Sequence, residues 1–275
     1  MAVNLAAKYS NKVAERFKQK SLSAAFTNSD YEWNGVKTLT VYSIDTVELN
    51  DYTRSGTSRY GTPSELGDTK QEMSVTQDKA FTFTIDKGNN ADQMNVKGAG
   101  KALAREIDEV IVPTEDTYVF GKIAAAAKDN GSSATAAITK TNAYEAFLNG
   151  QEKLDDASVP AEGRIAAVTS GFLKYLKLSD DFVKASELGQ KMLVNGQVGE
   201  IDGVKIVKVP RRRMPANCEF IIAHPSVTTK AEKLDDYKIH QDPPGINGNL
   251  VEGRVYYDAF VLDAKKDGLY AHFTA

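Results

Sequence analysis

The sequence predicts an α+β fold organised around an extended β-hairpin and one long helix. Residues 38–85 are β-prone but show no core of their own, and a helical pattern follows at once over residues 97–127. Mixed helix and strand patterns fill the rest of the chain. An isolated hairpin is marginal in water, so an arm of this kind needs contacts elsewhere. We therefore take assembly, rather than catalysis, as the first hypothesis; an edge hairpin on a larger sheet is the alternative.

The composition is that of an ordinary globular chain. Of 275 residues, 41% are hydrophobic and 26% are charged, and the net charge is −3. This balance argues against a protein that binds nucleic acid over its whole surface. Cys218 is the only cysteine, so an intrachain disulfide is impossible. The chain shows no secretory signal and no apolar run near the ~20 residues that span a bilayer. We expect folding in a reducing cytoplasm and no membrane partner.

The first element is an amphipathic helix. Apolar residues recur every four positions from Leu5 to Phe17. Basic residues lie largely off this stripe: Lys8, Lys12, Arg16, Lys18 and Lys20. We interpret them as a solvated helix face, with contact to the phosphates of DNA as the alternative.

The hairpin is predicted from two β-prone runs. The outgoing run covers residues 37–44, and in the longer returning run, residues 73–85, apolar residues alternate with serine and threonine. Residues 50–68 between them are rich in Gly, Ser, Thr, Asp and Arg, which is the composition of a mobile tip.

The long helix is predicted from an apolar stripe that starts at Ala99. From Gly100 to Ala127 its length is ~42 Å at 1.5 Å per residue. Pro113 interrupts the stripe and predicts a kink, because proline removes a backbone hydrogen bond and clashes with the preceding turn.

The second half of the chain predicts several short elements. Residues 164–169 and 219–223 are nearly continuous apolar runs, which indicates buried strands. Asp202 and Gly203 lie between two apolar runs and predict a hairpin turn. Residues 238–253 contain two prolines and three glycines and are predicted as a long loop. Strands at 255–262 and 269–273 close the chain.

Two helix starts are predicted from capping residues. Asn142 with Glu145 forms a capping-box pattern. Ser170 is predicted to cap a short helix over residues 172–176.

Residues for catalysis are few. His224, His240 and His272 have no metal-ligand spacing, and His224 is interpreted as a strand-end cap. Residues 98–101 resemble a phosphate-binding loop, but its first glycine and its Ser or Thr are missing. Residues 211–213, three arginines, are interpreted as a surface loop, and Cys218 as a small core residue. We predict no enzyme activity and no catalytic, cofactor or metal residues.

In the order of its motifs, the chain resembles the major capsid proteins of tailed bacteriophages with the HK97-type fold, most closely those of phages of Gram-positive bacteria. The resemblance covers nearly the whole chain and none of its motifs is catalytic. It is carried by the basic stretch up to Lys18, by residues 31–38, 50–54, 59–63, 81–86 and 104–110 with Pro113, by Gly163 and Arg164, and by Gly196, Gly199, Asp202 and Gly203.

The resemblance implies a layout. Residues 1–35 form an N-terminal arm and residues 36–86 an extended loop that lies on an adjacent subunit. Residues 87–134 form a peripheral domain with the long "spine" helix. Residues 135–250 are mainly an axial domain, and residues 251–275 return to the peripheral domain as closing strands.

The resemblance also implies a function and partners. The chain is expected to assemble into pentamers and hexamers of an icosahedral head shell that encloses double-stranded DNA. Further expected partners are a separate scaffolding protein, since the pattern starts almost at Met1, and a portal protein. The expected location of the protein is the virion, after assembly in the host cytoplasm. Candidate intersubunit contacts at the loop tip are Arg54, Arg59 and Tyr60, and no covalent cross-link is predicted because residues 51–68 contain no lysine.

Three alternatives stay open at this point. An encapsulin-type compartment shell shares the fold, a minor virion or tail protein shares the setting, and a hydrolase needs a nucleophile–base pair that the sequence does not show.

Overall fold

The computed structural model describes residues 20–31, 33, 38–92, 98–179 and 199–274. The predicted helix between Leu5 and Phe17 lies outside these residues. The strands are β1 (Thr38–Ile44), β2 (Asp68–Ser74), β3 (Gln77–Asp86), β4 (Ser133–Thr135), β5 (Ile165–Thr169), β6 (Glu200–Ile201), β7 (Val204–Val209), β8 (Cys218–Ala223), β9 (Thr228–Gln241), β10 (Gly248–Val261) and β11 (Leu269–Phe273). The α-helices are α1 (Lys87–Asp92), α2 (Ala99–Glu106), α3 (Val112–Asp129), α4 (Ala143–Asp156) and α5 (Ser170–Lys177).

The strands form three sheets. β1 and β2 pair as a two-stranded antiparallel hairpin. The second sheet has the order β3-β10-β9, and the third has the order β4-β11-β8-β5-β7-β6. The last of these contains both strands that the sequence predicts as buried, and every residue of β5 is buried. The hairpin turn at Asp202 and Gly203 joins β6 to β7, with φ of 49° and 76° at these residues.

The six-stranded sheet lies between two helical layers. In β5, Ile165 and Ala167 pack toward α3, while Ala166 and Val168 pack toward α4 and α5. The same alternation runs through β7, β8 and β11, because successive side chains of a strand point to opposite faces. Burial on both faces explains the continuous apolar runs in the sequence.

The predicted long helix is confirmed as α2, a π-helical turn (Ile107–Ile111) and α3 in direct succession. In the wide turn the amide of Val112 donates to the carbonyl of Ile107, five residues earlier. Pro113 follows at once and has no amide hydrogen. The irregularity expected at the proline is therefore a widened turn just before it. This part of the helix packs on β10 through Ile111, Val255 and Tyr257.

The returning run of the hairpin, predicted as one strand, is two strands. β2 pairs with β1, whereas β3 pairs with β10 in a different sheet. The division falls at Val75 and Thr76, between the two strands. Alternation of apolar and polar residues is the same in both strands, and alternation does not tell which partner a strand takes.

The predicted loop over residues 238–253 is wrong. β9 extends to Gln241 and β10 starts at Gly248, so only residues 242–247 connect them. Gly248 and Gly253 are strand residues, and neighbours lie too close there for a side chain. A Cβ at Gly253 would lie 2.2 Å from the ring of Phe81, and one at Gly248 would lie 2.1 Å from the carbonyl oxygen of Ile85.

Both predicted helix caps are also wrong in detail. The side chain of Asn142 makes no capping bond to its helix; its Oδ1 accepts from the amide of Thr139 at 2.7 Å. At α5 the cap is Thr169, one residue before the predicted Ser170, and its Oγ1 accepts from the amide of Phe172 at 3.1 Å.

Candidate assembly surfaces

The root of the β1–β2 hairpin is anchored in the body of the protein. Met73 and Val75 are buried in a cluster with Trp33, Ala231 and Leu262. On β1, Leu39 and Val41 pack against the same cluster.

Polar contacts reinforce this anchor. The side chain of Gln71 donates to the carbonyl of Val261 at 2.8 Å and accepts from the amide of Asp263 at 3.0 Å. The carboxylate of Asp258 accepts from the amide and the hydroxyl of Thr76, at 2.9 and 2.7 Å, and from the hydroxyl of Tyr118 on α3 at 2.7 Å. The direction in which the hairpin leaves the body is therefore determined within one subunit.

Beyond the root, the hairpin exposes apolar side chains. We name residues 45–67, between β1 and β2, the distal loop. Of the eleven exposed large hydrophobic residues in the described part of the chain, seven lie between positions 42 and 66: Tyr42, Ile44, Val47, Leu49, Tyr52, Tyr60 and Leu66. A soluble subunit rarely exposes such a concentration of apolar groups unless they form an interaction site.

The tip of the distal loop is folded on itself. The rings of Tyr52 and Tyr60 meet edge to face with centroids 5.1 Å apart. The amide of Thr53 donates to the carbonyl of Arg59 at 3.1 Å, and Nε of Arg59 donates to the carbonyl of Gly56 at 3.1 Å. Gly56 has φ of 86°, which favours glycine at this turn.

The structure places the three predicted contact residues, Arg54, Arg59 and Tyr60, together at this tip. All three are exposed, and Tyr60 is 85% exposed. Their role as intersubunit contacts stays a prediction.

Residues 21–23, near the start of the described chain, are held by one buried carboxylate. Asp116 on α3 accepts hydrogen bonds from the hydroxyl of Ser21 at 2.9 Å, the amide of Leu22 at 3.0 Å, and the amide and hydroxyl of Ser23 at 3.0 and 2.7 Å. Among the five predicted basic arm residues, Lys20 is described and exposed. Lys8, Lys12, Arg16 and Lys18 lie outside the described residues.

The same carboxylate corrects the interpretation of the three arginines as a surface loop. Arg213 is buried and its Nη1 lies 2.6 Å from Oδ2 of Asp116 and 3.2 Å from the carbonyl oxygen of Lys20. Residues Arg211–Arg213 form a 3₁₀ turn, and only Arg212 of the three has no hydrogen bond or ion pair within the described part. The two partners of the buried pair are 97 positions apart, so no local pattern could reveal it.

Burial alone would raise the pKa of Asp116, because it penalises the charged form. The hydrogen bonds from Ser23, Leu22 and Ser21 outweigh this effect and hold the pKa of Asp116 below its usual value. The carboxylate is therefore charged at neutral pH and remains the acceptor for residues 21–23.

The side chains that could take part in catalysis, the histidines and Cys218, have contacts that support the fold. His224 caps the 3₁₀ turn Pro225–Val227 by accepting from the amide of Ser226 at 3.3 Å. His272 is buried and stacks on Phe220, and burial lowers its pKa. Burial raises the pKa of the Cys218 thiol to about 12, which removes its nucleophilic form at neutral pH.

His240 is partly exposed and lies 3.3 Å from a carboxylate oxygen of Glu252. Within residues 20–31, 33, 38–92, 98–179 and 199–274, no group of three His, Cys, Asp or Glu side chains is placed to hold a metal ion. In the same residues, no helix has both the length and the apolar character that crossing a membrane requires.

Comparison with known proteins adds the decisive observation on the fold. Neither a protein-family model nor a curated protein matches the sequence. Among solved structures, one from Mycobacterium phage Che8 aligns with a TM-score of 0.79 and 18% identity over 98% of each chain. The capsid structure of the cyanophage P-SCSP1u aligns with a TM-score of 0.80 and 14% identity, over 99% of this chain and 93% of that chain. This chain has a phage capsid fold.

A third structure supports the same capsid fold. The asymmetric unit of the bacteriophage PhiM1 mature capsid aligns with a TM-score of 0.76 and 15% identity, over 100% of this chain and 92% of that chain. The fold class that the sequence resemblance implies is thereby confirmed over nearly the whole length. At such low identity the alignment transfers the fold and not the roles of individual residues.

Proposed function

We propose that the chain is the major capsid protein of a bacteriophage and assembles into the icosahedral shell around double-stranded DNA. The observation that carries this proposal is the hairpin, which has an anchored root and an exposed apolar distal part. A subunit gains nothing from this arrangement alone, because exposed apolar groups favour aggregation. A neighbouring copy that covers the distal loop buries these apolar groups, and their burial stabilises the contact between the two subunits.

Approximate magnitudes support assembly by many weak contacts. Burying one exposed aliphatic side chain contributes about 1.5–3 kcal/mol. Association of two subunits costs an estimated ~4–15 kcal/mol in lost freedom of motion, so a few such side chains give a weak pairwise contact. A closed ring or shell stabilises each subunit through several contacts at once, and this makes assembly cooperative.

The proposal extends to the parts of the subunit. The two-stranded hairpin (residues 38–74) is the extended loop, and the three-stranded sheet with α2 and α3 forms the core of a peripheral domain. The six-stranded sheet with α4 and α5 corresponds to the axial domain, which gathers copies into pentamers and hexamers. Residues 1–35 are the N-terminal arm.

The proposed partners are other copies of the chain, a scaffolding protein, a portal protein and, through non-specific contacts, packaged DNA. The proposed place is the virion, after assembly in the cytoplasm of the host. We propose a structural role and no enzyme activity.

The first test is negative-stain electron microscopy of the purified protein, with and without a co-expressed scaffolding protein. Closed shells or capsomer rings of uniform size support the proposal. A monodisperse monomer under both conditions contradicts it. Double-stranded DNA in particles from infected cells separates a capsid from a cargo compartment, and a high copy number per particle separates it from a minor virion protein.

A shortened hairpin tests the role of the distal loop. The amide of Asp45 donates to the carbonyl of Gly67 at 3.1 Å, so the two strands meet there. Replacing residues 46–66 by an Asn-Gly turn closes the hairpin at this pair. We expect a folded subunit with native circular dichroism that does not assemble; normal shells from this variant contradict the proposed role.

A further inference from the structure

A cleft of about 530 Å³ lies between β3, the long helix and the Arg211–Arg213 turn. Its apolar wall includes Val110, Pro113, Tyr118 and Tyr257. Val110 belongs to the π-helical turn and is 45% exposed. An apolar side chain of the widened turn therefore faces solvent beside a concave surface.

The charges that stay unbalanced in this cleft are cationic. Lys79 and Arg212 line it and are exposed, and neither forms an ion pair with a described residue. The carboxylate of Glu109 also lines the cleft but is paired with Arg105 at 3.0 Å. Cations beside an apolar wall act strongly on anions, because a wall of low dielectric constant focuses the electric field of the charges. The cleft therefore attracts an anionic ligand.

A third cation of the cleft offers an unsatisfied hydrogen-bond donor. Arg213 lines the cleft, and its charge is balanced by Asp116, whose Oδ2 lies 2.6 Å from its Nη1. The Nε of Arg213 is buried and has no hydrogen-bond partner in the part of the chain that the structure describes. A buried donor without an acceptor costs free energy, which an oxygen atom on the cleft side of the guanidinium would recover. Unbalanced positive charge and a free donor together favour a ligand that carries anionic oxygen atoms.

The positive charge continues beyond the cleft. Lys20 is exposed, and its carbonyl oxygen lies 3.2 Å from Nη1 of Arg213. In the sequence, residues 8–20 contain five basic residues and a single acid, Glu15. The whole chain, in contrast, has a net charge of −3. Such a local surplus of cations indicates a surface for an extended polyanion.

We propose that Lys20, Lys79 and Arg212 form a phosphate-binding surface that contacts the backbone of double-stranded DNA. Lysine and arginine side chains that contact phosphate oxygens bind without regard to base sequence. This inference rests on the proposed function, in which the shell encloses DNA, and it names the surface of the subunit that meets the DNA. A long polyanion fits better than a short acidic peptide, because a peptide confined to the cleft would leave the charge around Lys20 uncompensated.

DNA binding by the full-length protein tests this surface. A fluorescently labelled duplex of about 30 base pairs is titrated with protein, and its anisotropy is measured at salt concentrations between about 50 and 200 mM. The variant Lys79→Ala with Arg212→Ala removes two cations from the cleft. Both side chains are exposed, so the circular dichroism and the urea midpoint should not change. The matched control, Lys153→Ala with Lys174→Ala, removes two exposed cations from α4 and α5, on the opposite side of the six-stranded sheet from α3.

We expect the alanine variant of the cleft to lose both affinity and salt dependence. Each phosphate contact contributes about 0.9 to the slope of log affinity against log salt concentration, so the slope should become shallower by about 2. At about 50 mM salt the variant should bind about 10-fold more weakly or worse, whereas the control should bind like the wild type. A second variant, Lys79→Arg with Arg212→Lys, keeps both charges and should keep the affinity. Two duplexes of unrelated sequence should bind equally well.

Three results would overturn the phosphate-binding surface: a wild type that does not bind DNA at these salt concentrations, equal affinities of the cleft variant and the control, or binding of polyglutamate without binding of DNA. The last result would assign the cleft to an acidic protein segment. Shell formation is scored separately by electron microscopy, so shells from a chain that fails the DNA tests leave the proposed function standing. DNA binding through this surface by a chain that never forms closed particles supports the inference and overturns the proposed function.

Discussion

The two ends of one hairpin are held in opposite ways. At the root, Met73 is 1% exposed and the side chain of Gln71 bonds to two backbone groups of the body. In the distal loop, Leu49 and Tyr60 are almost wholly exposed, and the hydrogen bonds of the tip stay within the tip. The contacts of the root stabilise the folded subunit, whereas the distal loop exposes side chains that we expect to contact other subunits. Substitutions at the two ends should therefore separate stability from assembly.

Residues 21–23 are a second anchored segment, and the buried ion pair of Asp116 with Arg213 that holds them gives the largest expected loss of stability. Asp116→Asn keeps the size of the side chain but leaves the guanidinium of Arg213 buried without its anion. Breaking a buried pair from one side costs about 3–5 kcal/mol. Urea denaturation of the purified subunit, with the midpoint compared at unchanged slope, measures this loss.

The matched control is Asp78→Asn, which breaks the exposed pair of Asp78 with Arg254. We expect no measurable change in its denaturation midpoint, since solvent screens exposed pairs. Equal losses in the two variants would contradict the role of burial at Asp116.

The lowered pKa of Asp116 predicts a pH dependence. A carboxylate whose pKa is depressed by folding contributes stability that is complete above its unfolded pKa, near the usual value of 3.8. This contribution is lost as the pH falls through the depressed pKa of the folded state. The stability difference between the wild type and Asp116→Asn should therefore be constant from pH 7 to about 5 and shrink below about pH 4. A difference that grows on acidification would contradict this assignment.

The next largest effect is expected at the hydrophobic root. Met73→Ala removes buried volume from the cluster around Trp33 and leaves a cavity. Such truncations cost about 2–5 kcal/mol. The matched variant Thr40→Ala, on the outward face of β1, should leave the denaturation midpoint unchanged. If Met73→Ala were equally neutral, the root would not be part of the core.

A smaller and more local effect is expected for Gln71→Ala. It removes the partners of the Val261 carbonyl and the Asp263 amide, and an unsatisfied group costs about 1–3 kcal/mol where water cannot replace the bond. Hydrogen exchange should become faster in β1 and β2 while protection in β5 and β8 stays unchanged. Glu72→Ala, the exposed neighbour, is the control.

The smallest effect on stability is expected in the distal loop. Leu49→Ser changes a fully exposed side chain, so the free energy of unfolding should shift by less than about 0.5 kcal/mol. Assembly, measured as the fraction of protein in particles by sedimentation, should nevertheless fall strongly. A variant that assembles as well as the wild type would contradict the expectation that the distal loop contributes to assembly rather than to stability.

Local patterns were sufficient for part of this structure. The buried strands β5 and β8, the turn at Asp202 and Gly203, and the long helix across Pro113 follow from periodicity and turn chemistry, which act over a few residues. The end of β9 and the start of β10 were missed because prolines and glycines over residues 238–253 indicate a loop. The real reason for glycine at positions 253 and 248 is the close approach of Phe81 and Ile85 from β3.

Among the features proposed to matter for function, some likewise follow from the sequence and others only from the tertiary structure. The sequence by itself predicted that residues 50–68, rich in Gly, Ser, Thr, Asp and Arg, form the tip of a hairpin, because the composition of a loop is local and does not depend on where the chain places it. Only the tertiary structure decided that Asp116 meets Arg213, that the returning run changes partner after Ser74, and that Val110 opens onto a cationic cleft. These features join residues far apart in sequence, and packing between distant segments leaves no periodic trace in either segment.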